Sequence, residues 1–314
     1  MFDAFRGRQQ KEPVSSLARE QQIWGWIFLS PWIIGFLAFT VIPLVASVVF
    51  SFLDFQLNKP DEITFAGWKN YRLLFTDPLV RDSLVVTFKF AAISLPIGMI
   101  LPIALASLMN NKYLAGKRFF RTLFYMPFIV PVVSAVFIWR GMLSTQTGWI
   151  NRILGLVGIP GPDWLNSQVW IYPALVIIGI WGIGNAFLIT LAGMQGVPTA
   201  YYEAAKVDGA NPFRRFWSIT LPLISPVIFF NLILSVIGLM RYFEVPFIFN
   251  GGNGNPGGAT MFFNIHFYKT TFVFFDMGYG SALAWLLFVI TMILTLILFG
   301  TAKYWVYYAG AKNE

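Results

Sequence analysis

The sequence contains no cysteine, and this absence excludes disulfide bonds, thiolate metal sites and a cysteine nucleophile. Charged residues are scarce as well, at 11% of the chain, whereas soluble domains usually carry about 25%. Hydrophobic residues make up 57% of the 314 residues. One globular core cannot bury so much apolar surface, so the composition predicts an integral membrane protein.

Six apolar runs are long enough to cross a membrane, since a helix needs about 20 residues to span the hydrocarbon core. The predicted spans cover residues 23–52, 83–109, 119–142, 169–194, 219–249 and 279–307. The sequence therefore predicts an all-α membrane protein, with a polar segment at 1–22, a transmembrane domain at 23–309 and a polar tail at 310–314. The first run is too long for a cleaved signal peptide, so we expect it to be retained.

Prolines interrupt several predicted spans, among them Pro31, Pro96 and Pro131. Membrane helices tolerate proline where neighbouring groups satisfy the freed backbone carbonyls. Repeated kinks are compatible with a bundle that encloses a cavity and equally with ordinary kinked packing. The prolines alone do not choose between these two arrangements.

The distribution of Lys and Arg predicts the orientation of the chain. With the N-terminus inside, thirteen basic residues lie in the predicted cytoplasmic segments and seven in the predicted outer loops. Two more, Lys89 and Arg241, fall within predicted spans, and Lys89 is expected to snorkel to the interface. The net charge of +8 is therefore a topology signal, and we expect no nucleic-acid partner.

Two features of the predicted outer loops do not indicate a specific chemical function. No Lys follows the glycines of the run at Asn250–Phe263, as a phosphate-binding P-loop requires, and the run lies on the wrong side of the membrane for ATP. It therefore predicts either a flexible exposed turn or a loop that contacts a partner. The single histidine, His266, has no visible partners for a metal site or a proton relay, and its role stays unassigned.

A charged stretch, EAAKVDGANPFRRFWSITLP, lies between the fourth and fifth predicted spans. Thr199, just before this stretch, is placed to cap the start of a short helix. Gly209 is placed to end that helix in a left-handed conformation. Asn211 followed by Pro212 repeats the helix-start signal. The pattern therefore predicts two short helices around a glycine turn.

This loop, residues 198–218, suits two roles. Small residues on its first helix let another surface approach, and charged residues beside them supply polar contacts. The candidate contact residues are Glu203, Ala204, Ala205, Lys206, Asp208, Gly209 and Ala210, with Tyr202, Ala205, Lys206 and Gly209 on one helical face. Alternatively, Arg214, Arg215 and Trp217 lie at the lipid headgroups and the loop is only anchored there. The residue types leave docking and anchoring open.

The order of residues in this loop resembles the signature of ABC-importer permeases, EAA---G---------I-LP. Glu203-Ala204-Ala205, Gly209, Ile219 and Leu221-Pro222 match it at the required spacing. Seven identities at fixed spacing arise by chance about once in a billion starts.

Weaker likenesses extend over the chain from about Trp26 onwards, in FAGWKNYRLLFTDP, GKRFFRTLFYMPFIVP, GGNGNPGGAT and MGYGSALAW. They are closest to the carbohydrate-type permeases, specifically to the first of the two permeases that maltose and oligosaccharide systems encode. The large outer domain of the maltose-transporter permease is absent, so contacts made by that domain cannot be carried over.

The resemblance implies a cytoplasmic coupling helix between spans four and five that docks on an ATPase subunit, with Glu203 as a polar contact and Gly209 at the turn. It implies two cytoplasmic ATP-binding subunits that hold ATP and Mg, a second permease in a heterodimer, and an extracytoplasmic solute-binding protein. The chain itself is then not an enzyme and binds no cofactor. It is expected in a bacterial or archaeal cytoplasmic (inner) membrane, in contact with lipid and with both termini in the cytoplasm.

Polar side chains inside spans are costly and usually face the interior of a bundle. By resemblance, carbohydrate permeases build their pocket from the middle and late spans. The predicted path residues are Trp181, Gly182, Asn185, Asn231, Ser235, Tyr242, Arg241 and Glu244. Ordinary helix packing remains open for each of them, and the spacing of Arg241 and Glu244 also fits a structural ion pair.

Two alternatives stay open. The chain works alone as a secondary carrier or channel, although no inverted repeat is found, or the same importer class carries glycerol phosphate, a polyol or another solute. Arg241 favours an anionic cargo, whereas the aromatic residues favour a neutral sugar. The sequence also leaves open whether the pocket lies in this subunit, in its partner or between them.

Overall fold

The computed structural model describes residues 16–308 and is mostly helical. The helices are α1 (Ser16–Phe36), α2 (Ile42–Ser51), α3 (Lys69–Thr76), α4 (Pro78–Asn110), α5 (Lys117–Ile129), α6 (Val132–Met142), α7 (Trp149–Leu156), α8 (Ile171–Trp181), α9 (Gly184–Gln195), α10 (Thr199–Val207), α11 (Pro212–Arg215), α12 (Leu221–Leu223), α13 (Ser225–Met240), α14 (Glu244–Asn250), α15 (Phe263–Tyr268) and α16 (Met277–Trp305). Three π-helical turns join them at Leu37–Val41, Phe216–Thr220 and Lys269–Val273.

The described chain is mostly helical, in agreement with the all-α prediction, but it also contains a small hairpin that was not predicted. Two antiparallel strands, β1 (Leu53–Asp54) and β2 (Thr64–Phe65), close the first predicted outer loop into a hairpin. The side chain of Asn70 supports the hairpin, since its Nδ2 donates to the carbonyl oxygens of Ser51 and Leu53 at 3.0 and 2.9 Å. No apolar run marks these four residues, so sequence patterning could not show them.

Within residues 16–308, four helices are long and apolar enough to cross a membrane, and the count becomes six if each of two bent helix pairs is one span. The four are Arg19–Ser51, Pro78–Asn110, Ser225–Asn250 and Met277–Trp305. The predicted first boundary was too late, because α1 already begins at Ser16. Most of the predicted segment 1–22, and the tail 310–314, lie outside the described residues.

The third and fourth predicted spans are each broken, where the sequence analysis expected one run. α5 and α6 meet at 103°, and α8 and α9 meet at 52°. At the first break, Val130 is extended with ψ 127°, because the ring of Pro131 disfavours the helical region for the residue before it. Other prolines, such as Pro96 and Pro102, stay inside the continuous helix α4.

The fifth predicted span, 219–249, is also divided. The chain runs through the π-helical turn at Phe216–Thr220 and the short α12, follows α13, and then leaves helical geometry at Arg241–Phe243. Phe243 has φ −143° and ψ −56° before α14 resumes. A run of uniform hydropathy therefore contains several elements, because hydropathy reports burial in lipid and not backbone continuity.

Helix α4 organises the packing of the described chain. Its residues take part in three apolar clusters, through Phe90 in one, Val80 and Ala91 in the second, and Ala106 and Met109 in the third. It packs against α9, α13 and α15. Van der Waals packing of this kind, with close approach at small residues, is the main association force between helices in lipid.

A network at the predicted outer end ties three helices together. Asp77 caps α4 with its Oδ1, which accepts from the backbone N–H of Leu79 at 2.8 Å. The Oδ2 of Asp77 accepts from the hydroxyl of Tyr279 on α16 at 2.8 Å and lies 3.4 Å from Nε2 of His266 on α15. His266, left unassigned in the sequence, is only 5% exposed and is a buried neighbour of a helix cap.

Close packing between α5 and α9 yields a first prediction. A Cβ added at Gly184 would lie 2.7 Å from the carbonyl oxygen of Phe124 and 2.9 Å from Cα of Tyr125, both backbone atoms that cannot rotate away. We expect Gly184→Ala to cost about 1–3 kcal/mol of stability. Gly179→Ala on α8, where no atom lies within 4 Å, is the matched control. Thermal unfolding in detergent measures both, and equal transition temperatures would contradict the tight contact.

The buried histidine yields a second prediction. Burial lowers the pKa of His266 from its ordinary value of 6.5, and the neighbouring Asp77 raises it by less. Because the unfolded chain then binds this proton at higher pH than the folded chain, stability decreases as the pH falls below about 6.5. We expect His266→Gln to lose less stability than the parent chain between about pH 7.5 and pH 5. Parallel pH profiles of the two unfolding temperatures would contradict this linkage.

Candidate functional site

The predicted glycine turn in the charged loop is confirmed in its hydrogen bonds. Gly209 has φ +76°, in the left-handed region. Its backbone N–H donates to the carbonyl of Lys206 at 3.0 Å, and the N–H of Ala210 donates to the carbonyl of Ala205 at 2.9 Å. This pair of bonds is a Schellman motif, which satisfies the last carbonyls of α10 and fixes the direction in which the chain leaves it.

The second helix of the loop also starts as predicted. Asn211 is the N-cap residue, and its Oδ1 accepts from the backbone N–H of Arg214 at 2.7 Å. Pro212 follows at the first helical position, where no N–H is needed. The predicted cap at the other helix was wrong, because Thr199 is itself the first residue of α10 and Pro198 occupies the cap position without a side-chain bond.

The surface that α10 presents differs in part from the predicted face. Glu203, Ala204, Lys206, Asp208 and Gly209 are exposed, as a contact surface requires. The neighbouring Tyr202, Ala205 and Ala210 are partly buried against the chain itself.

Tyr202 fixes α10 to the next helical segment. Its hydroxyl lies 2.9 Å from the Oγ1 of Thr220, which is buried at the start of the fifth predicted span. The helix therefore turns one face to its own span and leaves the opposite, charged face open.

Apolar and basic groups surround this charged face. Val207 is 89% exposed and Phe213 is 72% exposed, which is unusual for side chains of these types. A cavity of about 200 Å³ separates the two short helices and is lined by Ala205, Asp208, Ala210, Arg214, Arg215, Ser218 and Ile219. The loop therefore combines a charged helix face with exposed apolar groups.

A second site lies at the break after α13. Arg241, Tyr242 and Glu244, all predicted path residues, line one cavity of about 530 Å³ with Gly238 and Asn264. Arg241 and Glu244 are exposed, and no salt bridge within 4 Å joins them in the described chain. The expected pairing assumed a continuous helix, whereas the chain leaves helical geometry between these residues.

Aromatic stacking holds this break in shape. The ring of Tyr242 stacks on Phe90 of α4 with centroids 4.8 Å apart and meets the edge of Phe262 at 5.1 Å. Asn264, which the sequence analysis missed, donates from its Nδ2 to the carbonyl oxygen of Arg241 at 3.2 Å. An adjoining cavity of about 690 Å³ shares Arg241 and Asn264 and continues between α13 and α16 along mostly apolar side chains.

The remaining residues proposed for the path lie in two other places. Asn231 is buried, and its Nδ2 donates to the Oγ1 of Thr190 at 3.1 Å across α13 and α9. Ser235 on α13 lies near the sulfur of Met99, at 4.0 Å. These two contacts join helices, which is the packing role left open in the sequence analysis.

The residues of the fourth predicted span lie at its break. Trp181 ends α8, and its indole meets that of Trp139 edge to face at 6.0 Å. Gly182 follows in the bend, and Asn185 is exposed on the first turn of α9. No group of three His, Cys, Asp or Glu residues that could hold a metal ion occurs among the described residues.

Similarity to known proteins covers nearly the whole chain. Residues 94–309 match the family described as binding-protein-dependent transport system inner membrane component. The probable ABC transporter permease protein YesP of Bacillus subtilis (strain 168) is 38% identical, over 94% of this chain and 95% of that protein. The sulfoquinovosyl glycerol transport system permease protein SmoG of Agrobacterium fabrum is 32% identical, over 86% of this chain and 87% of that protein.

A solved structure supports the fold. A chain of a bacterial alginate ABC transporter, crystallised with an alginate pentasaccharide-bound periplasmic protein, superposes with a TM-score of 0.79 at 22% identity, covering 90% of this chain and 95% of the other. The family match over residues 94–309 and the identity to these full-length permeases together show that the chain belongs to the binding-protein-dependent transport system inner membrane components.

Proposed function

We propose that this chain is the permease subunit through which an ATP-driven importer moves a sugar or oligosaccharide across the cytoplasmic membrane. The observation that carries the proposal is the exposed charged face of α10, held at a fixed angle by the Schellman turn at Gly209. Such a face has no partner among the described residues, and it lies where the family signature falls. It supports docking on a cytoplasmic ATPase subunit.

The proposed assembly follows from the family. A second permease completes the path, two ATP-binding subunits hold ATP and Mg, and an extracytoplasmic binding protein delivers the cargo. In this arrangement the chain performs no hydrolysis itself. In the proposed topology each bent helix pair is one span, so that the chain crosses the membrane six times. Both termini and α10 then lie in the cytoplasm, a proposal that the excess of Lys and Arg on that side supports.

Carbohydrate cargo is supported by the relatives and by the cavities. SmoG is named for a sulfoquinovosyl glycerol system, and the solved transporter was crystallised with alginate on its binding protein. The cavity at the break after α13 offers hydroxyl, amide and charged groups on Tyr242, Asn264, Arg241 and Glu244. Groups of these kinds can form hydrogen bonds with sugar hydroxyls.

ATPase coupling is tested with two Gly→Val substitutions that impose the same backbone strain at different positions. Gly209→Val forces a β-branched residue into φ +76°, which costs about 1–2 kcal/mol at the turn. Gly158→Val imposes φ +77° in a predicted outer loop, where, as at Gly209, no atom lies within 4 Å. In the reconstituted importer we expect Gly209→Val alone to lower cargo-stimulated ATP hydrolysis by about tenfold.

The outcomes separate coupling from general damage. ATP hydrolysis at the parent rate in Gly209→Val would contradict docking through α10, whereas equal losses in the two glycine variants would indicate a shared folding defect. ATP hydrolysis or solute transport by this chain without partner subunits would contradict the importer assignment as a whole and favour a carrier that works alone.

The cavity at the break is tested by side-chain removal. Arg241→Met and Asn264→Ala each remove a polar group from the wall, and we expect each to raise the KM for cargo uptake by about tenfold. A larger effect of Arg241→Met than of Asn264→Ala identifies an anionic cargo, such as a sugar acid or glycerol phosphate. Arg72→Met, at an exposed position on α3, is the control, and an unchanged KM in both cavity variants would place the path elsewhere.

A further inference from the structure

A fourth cavity, distinct from those along α13 and in the charged loop, lies at the predicted outer side of the protein. It has a volume of about 680 Å³, within the range of about 300–1,000 Å³ that is usual for small-molecule sites. Its walls are the last turns of α6, the loop 143–148, the loop 163–166 and the end of α14. It is lined by Phe137, Arg140, Gly141, Ser144, Thr145, Gln146, Thr147, Asp163, Leu165, Asn166, Phe249 and Asn250.

One partly buried amide joins the two loops of this cavity. Nδ2 of Asn151 donates to the carbonyl oxygen of Pro162 at 3.0 Å and to that of Thr145 at 3.4 Å. Oδ1 of Asn151 accepts from the indole N–H of Trp164 at 2.7 Å. A Cβ at Gly161 would overlap the Asn151 side chain, so only glycine permits this approach. The cavity is therefore bounded by two loops that hydrogen bonds of Asn151 join to each other.

The acidic wall is held in place as well. The Oδ1 of Asp163 accepts from the hydroxyl of Thr145 at 2.9 Å and from the backbone N–H of Asn166 at 3.2 Å. Desolvation raises the pKa of Asp163, and these hydrogen bonds lower it by more, so its carboxylate stays charged at neutral pH. The Nδ2 of Asn166 also donates to Oδ1 and Oδ2 of Asp163, at 3.1 and 3.2 Å, which leaves one lone pair of Oδ2 available to a ligand hydroxyl.

The same cavity is also lined by a cationic and an aromatic side chain. Arg140 is exposed at the end of α6 and forms no salt bridge with Asp163 or with any other described acidic residue. Phe137, one turn earlier, is 60% exposed. One positive and one negative charge line the cavity, so an ionic ligand gains no net attraction. A neutral ligand with many hydroxyls can bond to both charges and lay an apolar face on the ring.

We propose that this cavity binds a neutral sugar unit of the cargo at the outer mouth of the permease, which is a second carbohydrate site in addition to the one at Arg241. This inference rests on the proposed function as a carbohydrate importer. Its position relative to the first site supports it, because both cavities border α14, one at Glu244 and the other at Asn250. Six residues separate Glu244 and Asn250 by about 9 Å along the axis of α14, so the two cavities lie at neighbouring levels along one helix.

The test measures uptake and binding on the intact importer. Phe137→Ala and Arg140→Met remove the ring and the cationic wall, and Gln146→Ala removes a polar group at an exposed loop position. The carbohydrates are trehalose, maltose, lactose and maltopentaose, and the importer is reconstituted in nanodiscs or proteoliposomes. We expect at least one of these sugars to be taken up, and each variant to raise the KM for its uptake by about tenfold.

Arg152→Met is the matched control, since Arg152 is exposed on α7 in the same outer loop, lies 5.6 Å from the ring of Trp149 and does not line the cavity. We expect it to leave the KM unchanged. Saturation-transfer NMR with the same sugar should show contact to the parent importer and a weaker signal in Phe137→Ala, in which the site at Arg241 is unchanged.

The outcomes distinguish failure of the outer site from failure of the proposed function. Carbohydrate uptake with the same KM in the parent importer and in all three cavity variants would overturn the outer site and leave the proposed function intact. Uptake of none of the four sugars by the parent importer, with stimulated uptake of a solute that is not a carbohydrate, would overturn both. Equal effects of Arg152→Met and Arg140→Met would assign the loss to surface charge, and would also overturn the outer site.

Discussion

The constraint on which this architecture depends is the satisfaction of backbone hydrogen bonds inside a membrane, where lipid offers no partners. Helices meet this requirement within one segment, so a departure from helical geometry needs packing or a cavity around it. Within its apolar runs the described chain leaves helical geometry at several places, among them Val130–Pro131, Gly182–Ile183 and Arg241–Phe243. The last of these borders a cavity. The candidate path thus lies where the backbone itself is irregular, and the polar side chains gather there.

The charged loop, on the side of the protein opposite to the predicted outer loops, also depends on a few local hydrogen bonds. Helix α10 has only nine residues, too few to be stable alone in water. Its last turn is closed by the Schellman bonds, and its first turn is connected to the fifth span through Tyr202 and Thr220. The Tyr202–Thr220 contact joins α10 to the segment that leads into α13, whose other end borders the cavity at Arg241. An ATPase that favours one of two permease states through differential contacts would act along this route.

Particular residues show how far the sequence could predict this structure. Gly209 and Asn211 were predicted correctly because their roles depend on bonds to residues two to five positions away. Thr199 was misplaced by one position, since Pro198 can also precede a helix. The break at Arg241–Phe243 carries no proline or glycine within it, and it is held by Phe90 and Asn264 from distant parts of the chain. No local pattern could therefore have located it.

The sequence by itself determined the membrane character, the apolar runs and the family signature with its glycine turn, because these depend on composition and on short-range spacing. Tertiary structure decided which polar residues share a cavity. Asn231 contacts Thr190 of another helix, and a break in the helix separates Arg241 from Glu244. Arg140 and Asp163 line one cavity, whose two loops are joined by Asn151. These arrangements depend on the packing of helices far apart in the chain, where the position of each side chain is fixed by its neighbours and not by its own segment.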